Sequence, residues 1–66
     1  MTDQELAIAW SQATEIERHA RTHWRSTHVE DLPERDAALV TMRQAAALVR
    51  MVEQWMTARA LRAALT

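Results

Sequence analysis

Between Glu15 and Trp24 the chain reads EIERHARTHW. His19 and His23 stand four residues apart, so on a helix both imidazoles project from one side. Two imidazoles at that spacing can chelate zinc. Glu15, one turn before His19, shares that side and could be a third ligand, with His28 or Glu30 supplying a fourth. The segment lacks the glutamate of H-E-x-x-H that acts as the base in zinc hydrolases. The pair also borders an apolar stripe, where histidine commonly lies half-buried, and Glu15 with His19 makes an ordinary i,i+4 pair. A structural role is the simpler reading, and no metal or other cofactor is expected.

Arg18, Arg21 and Arg25 form a second set, on the opposite flank of the same helix and bordered by Trp10. Arginines in a stripe can contact phosphates, and a tryptophan can stack on a base. One reading is therefore a small nucleic-acid-binding regulator. Against it, Glu30, Asp31, Glu34 and Asp36 are close in sequence and can neutralise the stripe. The formal net charge is −1, so no global field draws in nucleic acid or an acidic membrane. A helix-turn-helix reader also needs a third helix and a net basic face. A solvated, salt-bridged face accounts for these arginines more simply.

No Ser/His/Asp or Cys/His nucleophile set is present. The chain has no glycine, so a glycine-rich phosphate loop is impossible. It is not expected to be an enzyme.

The elements that carry these residues are helical. Alanine, leucine, methionine, arginine, glutamate and glutamine dominate, all strong helix formers, with one proline and no phenylalanine or tyrosine. Thr2 to Glu5 reads T-x-x-E, a capping box, with Asp3 and Glu5 at the positive end of the helix it opens. Leu6, Ala9, Trp10, Ala13, Ile16, Ala20, Trp24 and Thr27 then recur at steps of three and four, one apolar stripe. A first helix is predicted over about 3–27 and a connection over about 28–32, where Pro33 biases Leu32 away from helix. Asp31 to Glu34 repeats the capping-box pattern with Pro33 in the first turn, and a second helix should run over about 33–64. So short a connection implies an antiparallel two-helix hairpin, one all-α domain.

The second helix is apolar on two sides. One side collects Ala38, Met42, Ala45, Val49, Val52, Met56, Ala60 and Ala63. The other, about 120° round, collects Ala37, Val40, Leu48, Met51, Trp55, Ala58 and Leu65. The first helix can cover one of them, unless it bends or the N-terminal segment reaches the other. A side left open would be a contiguous apolar patch of the kind that marks an interface. Trp10 and Trp24 fall in or beside the hairpin seam. Trp55 is the best anchor, because tryptophan brings much area with few rotors. Met42, Met51 and Met56 add adaptable surface. The expected partner-binding set is Leu48, Met51, Trp55 and Ala58.

Sixty-six residues bury only about 60% of what the unfolded chain exposes. Small domains offset this with disulfides, metals or association, and there is no cysteine for the first. Dimerisation into a four-helix bundle is the common closed solution. No apolar run is long enough for a membrane span, and MTDQEL does not read as a signal peptide, so the expectation is a cytoplasmic protein.

The stretch RDAALVTMRQAAALVRMVEQW, the short capped first helix and the total length together resemble the small helical-hairpin co-chaperones of type III secretion needle subunits. That resemblance implies a hairpin that holds a larger helical-repeat chaperone and helps keep a needle subunit from polymerising. It carries over no functional residue. The function read from the residues themselves is a non-enzymatic protein–protein module: an adaptor, inhibitor or co-chaperone whose partner is a second copy or another helical protein.

Overall fold

Thr2 opens the first helix. Its backbone is extended (φ −80°, ψ 165°). The Glu5 N–H donates to the Thr2 hydroxyl at 3.1 Å, and the Thr2 N–H donates to the Glu5 carboxylate at 3.2 Å. This is the predicted capping box, which satisfies a donor that the helix itself leaves without a partner. In the computed structural model, which describes residues 2–28, 30 and 32–66, helix α1 spans Asp3–Ser26 and helix α2 spans Leu32–Leu65.

Helix α1 ends without a glycine. The Ser26 and Thr27 hydroxyls both donate to the His23 carbonyl, at 2.9 and 2.8 Å. Short polar side chains that take over backbone acceptors compete with helix continuation, and Thr27 turns extended (φ −75°, ψ 132°). Helix α2 begins at Leu32, one residue before Pro33. At a helix start there is no preceding turn for the proline ring to clash with, and the missing N–H would have had no partner anyway. The expected Asp31 cap lies outside the described residues.

The two helices pack as an antiparallel hairpin. Three contacts fix their direction and register. Asp3 pairs with Arg59 at one end. Midway, the Trp10 Nε1–H donates to Glu53 Oε2 at 3.3 Å. At the connected end, the Arg35 guanidinium stacks over the Trp24 ring, 4.8 Å from its centroid, and donates to the Thr27 carbonyl at 3.1 Å. The 34 residues of α2 at 1.5 Å each give about 51 Å, close to the 55 Å long dimension of the molecule.

The seam is narrow and made of small side chains. Leu6, Ala13 and Ala20 of α1 meet Ala38, Ala45, Val49 and Val52 of α2. Ala13, Val49 and Val52 form its centre, flanked by the half-buried Ala9 and Leu48. Alanines let the helix axes approach to the short end of the usual 8–10 Å range. They also leave little room for anything larger. Ile16, which the spacing places in the stripe, is 52% exposed, because it lies roughly 80° round α1 from Leu6.

Arg35 is the clamp at the connected end, and replacing it separates shape from charge. Arg35→Ala should lower unfolding stability by about 1–2 kcal/mol through the lost stacking and carbonyl bond. Arg35→Lys should recover less than half of that, since an ammonium lacks the planar fork. Urea denaturation of the three proteins checks this. Full recovery by lysine would show that charge alone is at work.

Candidate functional site

Helix α1 covers one of the two apolar sides of α2, the one that carries Ala38, Ala45, Val49 and Val52. The alternative in which α1 or the N-terminal residues wrap round to cover both sides is not what forms. Trp10 and Glu53 close one flank of the seam with their hydrogen bond. The other flank is floored by Ala9 and Leu48, and Met51, Trp55 and Ala58 stand exposed beyond them.

The four side chains expected to bind a partner all reach this second flank, with different depths. Leu48 is half-buried and packs on the seam as well as facing out. Met51 is 40% and Trp55 44% exposed, and Ala58 is exposed beside them. Val40 extends the surface toward the connected end, and Ile16, seven residues on from Ala9, adds to it from α1. A shallow concavity lined by Leu6, Trp55, Ala58, Arg59 and Arg62 sits at the open end. Beyond the Asp3–Arg59 pair α2 runs on uncovered, with Leu65 80% exposed.

The histidine pair lies elsewhere. His19 and His23 are exposed rather than half-buried. The line that α1 buries passes through Leu6, Ala13 and Ala20; His23 stands about 60–100° round from it and His19 about 100–140°. Glu15 Oε1 meets His19 Nε2 at 3.0 Å and also pairs with Arg18. Among the described residues, no three His, Cys, Asp or Glu side chains gather as ligands for a metal ion.

Two of the three stripe arginines are engaged within their own helix: Arg18 pairs with Glu15, and Arg21 bonds Glu17 at 2.9 Å. Arg25 is exposed. Trp10 uses its N–H on Glu53, while the Trp24 Nε1 is buried without a hydrogen-bond partner beneath Arg35. Arg35, Glu53 and Arg59 were legible only as polar surface. Glu53 and Arg59 have partners 43 and 56 residues away, and no local spacing announces such a pair.

Comparison of the chain with family models, with curated proteins and with solved structures finds no match. No helix among the described residues is long and apolar enough to cross a membrane.

Two carboxylates titrate below the ordinary glutamate range. The Arg18 hydrogen bond holds Glu15 down, and the Thr2 backbone N–H does the same for Glu5. A lowered folded-state pKa contributes stability that is present above the unfolded value and lost as pH falls through the folded one. Helicity followed by circular dichroism should therefore hold from neutral pH down to about 4.3, the ordinary glutamate value, and fall below it. Glu5→Gln should flatten that fall. An identical acid limb in the variant would remove the capping box from its cause.

Proposed function

We propose that this chain is a non-enzymatic binding module that covers helical surface on a protein partner. What supports the reading is one feature: the flank of α2 bearing Leu48, Met51, Trp55 and Ala58 is apolar, continuous and uncovered. A large apolar face on a small protein serves an interface, and these positions follow the i, i+3, i+7 spacing by which one helix grips another. Methionine adapts to the facing side chains. Trp55 is the anchor, since a central tryptophan ranks among the side chains that dominate binding energy.

The mechanism is coverage. A partner helix lies along the flank, both apolar surfaces leave water, and the partner segment is withheld from other contacts. An adaptor, an inhibitor and a co-chaperone all act in this way. The co-chaperone role implied by the resemblance to type III secretion hairpins is one form of it, supported here by the hairpin architecture alone.

A photoreactive side chain placed at Ala58 tests the reading in living cells. It should crosslink to a helical segment of a protein. The same group at Thr57, exposed about 100° round α2 from Ala58, should give little product. Trp55→Ala should reduce the Ala58 product at least tenfold, the effect of losing an anchor worth about 2 kcal/mol. Equal crosslinking from Ala58 and Thr57 would sink the proposal.

A further inference from the structure

The dimensions of the hairpin say what covers the open flank. The chain exposes 5260 Å². A compact protein of its mass, 7.6 kDa, would expose about 4300 Å². Its radius of gyration is 15.5 Å, where a compact chain of this length would have about 11 Å. The surplus surface is therefore about 1000 Å², and a standard interface removes about 800 Å² from each partner. One more hairpin laid on the flank brings the exposed surface per chain back to that of a compact protein.

The flank is also suited to itself. From Val40 to Ala58 the α2 residues of this flank carry no formal charge, and Arg59 and Arg62 stand at its open end, so a copy of the same surface meets no like-charge repulsion at the centre. We infer that a second copy of this chain is the occupant, giving a two-fold four-helix bundle in which α2 packs antiparallel on the α2 of the copy. This rests on reading the flank as a docking surface.

The register follows from the symmetry. In a two-fold contact, residue i meets j and j meets i. The middle of the stretch from Val40 to Arg62 is Met51, which then lies on the axis and meets itself. Trp55 falls opposite Ala47 of the copy, a large ring over a methyl, and Arg62 falls opposite Val40. Asp36 stands one turn beyond Val40, where the Arg62 guanidinium reaches past the valine. At the anchor a large side chain thus meets a small one, a condition for close packing.

The test uses the intact chain. Light scattering across a wide dilution series should give twice the 7.6 kDa chain mass, and Trp55→Glu should return it to a single chain. Because the protein has no cysteine, Met51→Cys introduces a lone thiol at the axis. Mild oxidation should link that variant into a dimer, because a disulfide needs Cβ atoms within about 4.5 Å. Thr57→Cys, about 120° round α2 from Met51, should stay single. This comparison stands even if Trp55→Glu fails to fold. A dimer in which Thr57→Cys links as fast as Met51→Cys would overturn the inference, as would any mass above two chains. A single-chain mass at every concentration would overturn it too. In that case acrylamide quenching of the chain against its Trp55→Phe variant separates two failures. An accessible Trp55 leaves the docking reading standing for a foreign helix, and a shielded Trp55 removes both.

Discussion

Two helices touch along one line, and the side chains on that line decide what happens to all the others. Among the described residues, four of the seven buried side chains are alanines. They let the helices approach closely, which suits α2 because alanine costs nothing in helix propensity. Close approach leaves little volume between the helices for large side chains. Among the described residues only Leu6, Val49 and Val52 bury a larger aliphatic side chain, each contributing about 1.5–3 kcal/mol. Met51 and Trp55 therefore lie outside the seam as a consequence of how the seam is built. The open flank and the alanine seam are two aspects of one choice.

That choice creates a problem of register. Because α2 is apolar on both sides, sliding or rolling α1 would still place apolar atoms on apolar atoms, and burial alone discriminates weakly between such arrangements. The polar contacts do discriminate. Asp3 with Arg59, Trp10 with Glu53, and Arg35 with Trp24 and Thr27 mark the two ends and the middle. They are largely exposed, and exposed pairs contribute at most about 1 kcal/mol. Their role is therefore to select one arrangement among several of similar burial. Arg35 does more than the others, because its charge lies at the negative end of the α1 dipole and its plane covers an indole.

The hairpin was legible because its signals are local. Thr2 and Glu5 cap α1 three residues apart, and Ala38, Ala45, Val49 and Val52 repeat at helical spacing on one side of α2. What depends on the relation between helices was not legible. Either side of α2 satisfied the periodicity, and which of them α1 covers depends on how the two helices pack, which a single helix does not record. Ile16 was read as part of the seam for a related reason. The stripe of α1 was read as broad, and the seam that forms is only as wide as Leu6, Ala13 and Ala20. Leu48 shows the converse. It was assigned wholly to the open side, yet a side chain near the boundary can serve the seam and the flank together.

The two flanks of the hairpin differ, and this governs how far association can go. One carries the Arg21–Glu17 pair and the Trp10–Glu53 bond, polar groups that are already satisfied and costly to desolvate. The other carries Met51 and Trp55. A body with apolar surface on both flanks would stack without limit, since each added copy would present a fresh face. A single apolar flank is used up by one contact, so assembly closes once it is covered. For a chain this small, closure and folding are linked. A partner that binds only the folded hairpin adds its binding free energy to a marginal fold, so the exposed flank that weakens the isolated hairpin is also the means by which a partner stabilises it.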